Sequence, residues 1–341
     1  MKKTCDVCIF GAGPAGTATG ARLADLGLAC IVLDRPSAKR RWGGESFSGA
    51  IREPLAALGL WEGFCSAGHV AGYEQRTTWG APQWTKDSIF SHYGHFWHVD
   101  RERFDNDLRC AVTSRGIPIY IYQSLQTLRQ QGAQGEGWYL CLGQDCEIYA
   151  RYLVDATGRA CAVARRLGVR PRLFDHLIAF AALVPHNQNS NFDHAMVIES
   201  MPQGWWYTAP VPRGHVLAFF TDADLAPQQL ARSMKTAAAH SAFTQPENGK
   251  GWIPVGDACS AHDPLCGWGV FRAMSNGLRA ADAIATYLKT QDDARLKSYV
   301  ELCGKQFREY LEGLTRHYSF EQRWANSPFW QRRMNLTFSL A

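Results

Sequence analysis

Gly11, Gly13 and Gly16 stand between two short apolar runs, and this restricts the start of the chain to very few folds. Asp6 to Phe10 reads as a buried strand, and Thr17 to Leu26 as an amphipathic helix that Gly27 stops. Ala29 to Leu33 reads as a second strand, and Asp34 closes it. The unit is a strand–helix–strand of about 30 residues, the length that a dinucleotide-binding βαβ motif requires. Gly11 permits the tight turn, Gly13 lets backbone approach a pyrophosphate, and Gly16 lets helix and strand pack closely. The open N–H groups of the helix then face the phosphates, and the Asp34 carboxylate can accept both hydroxyls of an adenosine ribose. NAD and FAD both use this unit, so the motif alone leaves them undecided.

The chain has 341 residues, 46% of them hydrophobic, more than one compact core usually holds. No low-complexity tract and no fixed repeat interrupts it. A net charge of +5 with scattered basic residues offers no stripe for nucleic acid, and the cluster Lys39-Arg40-Arg41 reads as a loop facing solvent or an anionic cofactor. Glycine and Pro14 break the first apolar run, so no signal-peptide core forms there, and no stretch is long enough for a membrane span. Eleven cysteines at irregular spacing point to reduced thiols and a cytoplasmic setting. Cys5 and Cys8 lie within a buried strand without a second ligand pair, which predicts core thiols and no metal.

Further along, a helix is predicted near Gly49 to Leu58, and another over Asp100 to Gly116 with Asp100 as its cap. Residues 60–97 lack helical periodicity and read as aromatic-rich strands and loops over a pocket. Strands are predicted at Ile117–Tyr122, Trp138–Leu142, Glu147–Val154, Phe180–Val184, Ala195–Glu199, Trp205–Ala209, His215–Thr221 and Gly251–Val255. A helix starts near Gly269. Residues 292–341 read as helical, with Tyr299, Phe307, Tyr310 and Tyr318 spaced to pack on the body.

Two later stretches favour FAD. Leu153-Val-Asp-Ala-Thr-Gly-Arg159 and Trp252-Ile-Pro-Val-Gly-Asp-Ala258 resemble the later signatures of the FAD-dependent aromatic hydroxylases, and Arg101 in Val99-x-Arg-x-x-Phe-Asp105 matches that class's phosphate-side arginine. The resemblance implies an α/β fold: a Rossmann-like FAD-binding domain, an antiparallel-sheet substrate domain and a helical C-terminal segment. It divides the chain into 1–60, 98–170 and 251–290 for FAD, 61–97 and 171–250 for substrate, and 291–341 as the helical segment. It further implies that Asp257 bonds the ribityl chain beside Gly256 and that Asp155 and Gly158 line the dinucleotide site. Ala15, Arg35, Gly44, Pro264, Gly267, Gly269 and Val270 complete the expected cofactor set, the loop Asp263 to Gly269 running past the flavin ring. No second GxGxxG is present for a dedicated NADPH domain.

Within that class, Gly43-Gly-Glu-Ser46 and Gly204-Trp-Trp-Tyr-Thr-Ala-Pro210 resemble the flavin-dependent halogenases. Those acting on tryptophan carry Glu-Ser-Thr-Gly after Asp-Pro-Leu, where this chain has Cys266, Gly267, Trp268 and Gly269. The stretch Tyr73 to Gly80, comparable to the one holding the halogenase lysine, has Arg76 and no lysine, and an arginine does not readily form a haloamine. Lys86 is the nearest amine. Halogenation is therefore disfavoured, and oxygen insertion by reduced flavin and O₂, fed by an external reductant, is what remains.

Thr78-Trp-Gly-Ala-Pro82, the Gly-Trp-Trp-Tyr-Thr run and the C-terminal Tyr318, Trp324 and Phe329 to Arg333 extend the resemblance. The group they resemble is the flavoproteins that mature tryptophylquinone enzymes, partners of lysine ε-oxidase, glycine oxidase and quinohemoprotein amine dehydrogenase. It implies a quinoprotein precursor as protein substrate, hydroxylated on a tryptophan, with no nucleic acid or membrane partner. A small-molecule aromatic hydroxylase or halogenase is the alternative. Trp79, Trp205 and Tyr207 are the expected substrate contacts; Glu45, His262, Cys266 and Trp268 are the candidate catalytic residues. His69, His92, His95 and His98 are further titratable groups of the aromatic region. Asp224 to Gly251 is shorter than the corresponding segment of the chains it resembles.

Overall fold

A computed structural model describes residues 2–36, 44–80, 84–87, 91–131, 137–143, 146–185, 195–245 and 251–334. The basic cluster Lys39-Arg40-Arg41 and Pro82 lie outside them, and of Lys86 only the backbone is described.

The expected βαβ unit is present: strand Lys2–Phe10, helix Pro14–Asp25, strand Cys30–Asp34. Lys2–Phe10 is the middle of a parallel core, with Cys30–Asp34 on one side and Cys146–Asp155 on the other; Ile119–Ile121 extends the first side. The outer edge of Cys146–Asp155 is shared. Its first half pairs antiparallel with Gly137–Leu142, as the predicted hairpin, and Leu153 to Asp155 pair parallel with Trp252–Pro254. A strand from late in the chain thereby brings Gly256 and Asp257 beside the first glycine turn. The apolar run Val7 to Phe10 is fully buried, Val7 and Ile9 in the cluster with the first helix and Cys8 and Phe10 in a second cluster with Trp138, Leu140 and Ala164, the reason it shows no alternation.

The second sheet has seven strands in the spatial order Lys235–Ala238, Leu177–Pro185, Gly214–Asp222, Gly204–Val211, Met196–Met201, Glu74–Thr77 and Trp84–Asp87. All neighbours are antiparallel except Met196–Met201 with Glu74–Thr77. A three-stranded sheet of Gly44–Phe47, Phe96–Asp100 and Val70–Gly72 joins the two larger ones. Helix Arg101–Thr113 starts as predicted, Asp100 accepting from the N–H groups of Glu102 and Arg103. The reading of 60–97 as free of helix is corrected: Trp61–Ser66 is helical, with only Phe64 buried, too short to show a period.

Helices Gly269–Thr290, Ala294–Ser319 and Pro328–Met334 close the body, and Tyr299, Phe307, Tyr310 and Tyr318 are buried as their spacing implies. None among the described residues is long and apolar enough to cross a membrane. A carboxylate clasp fixes the turn between the last two. Glu321 accepts from the Gly80 N–H at 2.9 Å and the Ser200 hydroxyl at 2.6 Å, and pairs with Arg323. Burial opposes its charge, but these donors outweigh it and hold the carboxyl down at about 2. A folded-state pKa below the unfolded value stabilises above the ordinary glutamate range, and that contribution is lost as pH falls toward 2. Glu321→Gln is thus expected to lower Tm at neutral pH, with the two melting curves converging as acid is added.

Candidate active site

One cleft of about 1050 Å³ runs from the first glycine turn, between the two large sheets, to the loop after Ala261. At its first end Gly11 has φ +106°, and a Cβ there would lie 2.3 Å from the Ala156 carbonyl oxygen. A Cβ on Gly16 would lie 1.9 Å from the Gly11 carbonyl. Gly16 is therefore required for packing and does not itself line the cleft, whereas Gly11, Gly13 and Ala15 do. The helix starts from Gly13 with Pro14 in its first turn and no side chain satisfying its leading N–H groups, which suits an anion. Asp34 lines the next stretch, ion-paired with Arg109, and Arg35 lies 6.0 Å over the Tyr122 ring.

Arg101 is almost wholly buried. Burial disfavours its charge, yet Glu45 and, at 3.0 Å, Asp105 hold the guanidinium firmly protonated. Glu45, expected among the catalytic groups, is thus the counter-charge of Arg101. Arg101, Asp105 and Arg109 follow one another at four-residue steps along one helix face, a spacing that sequence reading had available and did not use for Arg109.

Asp155 is corrected. It is fully buried and does not line the cleft. Its carboxylate accepts from Thr157 N–H at 3.0 Å, Thr157 Oγ1 at 2.6 Å, Val163 N–H at 3.1 Å and Ala164 N–H at 2.9 Å, and so shapes the turn whose Ala156 to Arg159 do line it. Burial pushes its pKa above the ordinary carboxylate value even against four donors. Asp155→Asn would aim an amide donor at donors, and a loss of about 2–3 kcal/mol is expected by denaturant melting.

Toward the other end Asp257 lines the cleft, 3.5 Å from Arg159, while Gly256 does not. Gly256, at φ +59°, is needed because a Cβ would lie 2.7 Å from that of Ala15. Arg159 also donates to the His262 carbonyl at 2.8 Å and to the His240 carbonyl. The loop that follows is built on Asp263, which accepts from Leu265 N–H at 2.9 Å and from the Tyr318 hydroxyl at 2.8 Å; its own N–H donates to Tyr310. Burial raises the Asp263 carboxyl to about 6. This anchor, absent from the expected set, fixes Pro264, Cys266, Gly267, Trp268, Gly269 and Val270 along the cleft. Burial pushes the Cys266 thiol up and the His262 ring well below its usual range, and that ring packs 4.2 Å from Tyr310. Both are therefore neutral. Trp268 meets Tyr93 and Phe271 edge-on at 5.2 and 5.1 Å.

The cleft face of the seven-stranded sheet forms the third wall. Cross-strand rows run Ala237–Ala179–Phe220–Trp205 and Ala181–Ala218–Tyr207–Ile198, so the wall grades from alanines to aromatics. Tyr207 donates to Ser46 Oγ at 2.7 Å, and Ser46 Oγ lies 2.7 Å from His98 Nδ1. Trp205 lines the wall but is 1% exposed, stacked on Phe220 at 3.9 Å. Trp79 is corrected. It lies in the core among Trp205, Tyr318 and Trp330, donating to the His317 carbonyl, and does not reach the cleft. His69 packs on Phe64 at 4.6 Å, also away from it. Among the described lining residues there is no lysine, and Arg76 pairs with Glu74 at 2.7 Å.

The glycine cradle, the uncapped helix start and the acid at the second strand's end fit an ADP moiety, with the loop 263–269 at the ring end. A family profile described as FAD binding domain matches residues 4–215. The chain belongs to this FAD-binding family. FAD is its cofactor, and the flavoprotein is an FAD-dependent enzyme.

It is 28% identical to the putative FAD-dependent oxidoreductase LodB of Marinomonas mediterranea, over 96% of each chain. It is 24% identical to a 1H-pyrrole-2-carbonyl-[peptidyl-carrier protein] brominase of Pseudoalteromonas luteoviolacea, over 85% of this chain and 79% of that one. Among solved structures, the flavin-dependent halogenase CmlS superposes with a TM-score of 0.82 at 22% identity, covering 99% of this chain and 68% of the other. QhpG, a peptidyl tryptophan dihydroxylase essential for tryptophylquinone cofactor biogenesis, superposes at 0.79 and 22%, covering 99% and 80%. At these identities the two structures establish the flavoprotein's fold alone.

Proposed function

We propose that this enzyme is a monooxygenase that hydroxylates a tryptophan of a partner polypeptide, a quinoprotein precursor, during formation of a tryptophylquinone cofactor. O₂ and an external reductant are the co-substrates. The observation that carries the reading is the composition of the cleft's inner end. Cys266 and Trp268 occupy the loop beside an alanine-floored wall, and no lysine is found among the described lining residues. That set has room for a large aromatic guest and supplies no amine for halide transfer. A volume of about 1050 Å³ lies at the upper end of the roughly 300–1,000 Å³ of ordinary ligand sites, which suits a cofactor as large as FAD. That QhpG is a peptidyl tryptophan dihydroxylase supports the same reading, and eleven free thiols suit a cytoplasmic reaction.

Bound FAD, once reduced, supplies oxygen activation. The chain's own residues do the rest. Arg101 and the first helix would hold the phosphates, Asp257 with Arg159 would hold the linking chain, and Asp263 keeps the loop 263–269 in place along the cleft. Cys266 and Trp268 orient the guest, while buried, neutral His262 and the Arg101-paired Glu45 hold the cleft walls in place. Incubating holoenzyme, reductant and O₂ with the unmodified precursor of a tryptophylquinone enzyme from the same organism tests this. Mass spectrometry should find one or two added oxygens on a single tryptophan. Oxygen or halogen appearing only on a free phenol, indole or pyrrole would favour the small-molecule alternative, which the brominase and halogenase likenesses represent.

A further inference from the structure

The seven-stranded sheet ends on Lys235–Ala238, and among the described residues no strand pairs with the outer edge of that strand. Register decides which of its backbone groups face outward. Ala238 stands opposite Ile178 and Ala237 opposite Ala179, and the Ala239 N–H donates to the Leu177 carbonyl at 2.9 Å. Hydrogen-bonded and non-bonded pairs alternate along an antiparallel ladder, so Lys235 and Ala237 bond inward while Thr236 and Ala238 direct N–H and C=O away from the sheet. Lys235, Thr236 and Ala238 are exposed. The same strand borders the cleft: Ala237, Ala238 and Ala239 line it, next to Ala179 and Ala181.

We propose that an extended segment of the partner polypeptide adds to this edge as an eighth strand, bonded to Thr236 and Ala238, and so delivers its tryptophan over the alanine half of the wall. The inference rests on the reading that the substrate is a polypeptide. Edge addition draws affinity from main-chain hydrogen bonds and specificity from alternate side chains, so one inserted side chain suffices for recognition. The alanines on the cleft side leave the space such a side chain fills. Lys235 guards only one end of the edge and leaves Thr236 and Ala238 open to pairing. A free small aromatic would have no use for the outward donors.

Two measurements on the holoenzyme test the inference. The precursor should slow amide exchange across residues 235–239. Ala238→Pro removes an outward N–H without touching the ladder to Leu177–Pro185, and it should keep FAD while oxygenating the precursor about tenfold more slowly or worse. Oxygenation of the precursor without protection at 235–239 would overturn the docking and leave the proposed function standing. Protection present before the precursor is added, and growing with enzyme concentration, would mean a second copy on the edge and would overturn it as well. A precursor that wild-type enzyme never oxygenates would remove the functional reading and the docking with it. Should Ala238→Pro fail to fold, the exchange measurement on wild type decides alone.

Discussion

Gly11→Ala is expected to yield a protein that retains no flavin and melts well below wild type. The new methyl group would meet the Ala156 carbonyl oxygen at 2.3 Å, and that carbonyl belongs to the turn held by the four bonds to Asp155. Neither side can give way, because the Ala156 N–H is itself tied to the Phe10 carbonyl at 2.8 Å. Added to the strain of φ +106° on a residue with a side chain, the cost is about 3 kcal/mol or more. Gly27→Ala is the control: Gly27 also has positive φ, at +79°, but a Cβ there would touch nothing within 4 Å. It should lose about 1 kcal/mol and keep its colour. Absorbance at about 450 nm, read against protein, decides the matter; full occupancy in Gly11→Ala would show that the first turn does not carry the cofactor.

Arg101→Ala has the second largest expected effect. Removing the guanidinium leaves Glu45 and Asp105 facing each other and, on the proposed placement of FAD, takes a counter-charge from its phosphates. Asp105 loses a buried partner while Glu45 is 38% exposed, so the cost is about 2–3 kcal/mol, and flavin affinity should fall about a hundredfold. Adding Glu45→Gln and Asp105→Asn to Arg101→Ala should restore most of the melting temperature and little of the flavin affinity. A triple variant that regained both would reduce Arg101 to a structural residue.

Much of this site could be read from residue order, and the failures share one cause. Gly11, Gly13 and Gly16 carry their meaning locally, because a turn, a helix start and a strand end all fall within the same short stretch. Asp155 and Gly256 sit in motifs that do mark the cofactor, but which member of a motif touches the ligand depends on neighbours distant in sequence. Val163 and Ala164 draw the Asp155 carboxylate inward, and Ala15 fills the space over Gly256. Trp79 failed for the same reason: an aromatic side chain suits a core as well as a cleft, and Tyr318 and Trp330 settle which. Asp263 went unselected because its influence comes from Tyr310 and Tyr318, nearly fifty residues or more downstream.

The divided edge of strand Cys146–Asp155 also constrains how the protein is made. Emerging from the ribosome, the chain presents its first strand–helix–strand unit early, yet the strand that completes the parallel core, Trp252–Pro254, is synthesised about a hundred residues after its partner. Until then Leu153 to Asp155 keep an open edge, and the helix Gly269–Thr290, which packs on Pro14–Asp25, does not exist. Residues 252–290 must therefore be made before the cofactor-binding turns have their full support. Translation stalled before residue 252 leaves a half-built sheet with an unpaired, apolar strand end, the kind of surface that chaperones and proteases recognise.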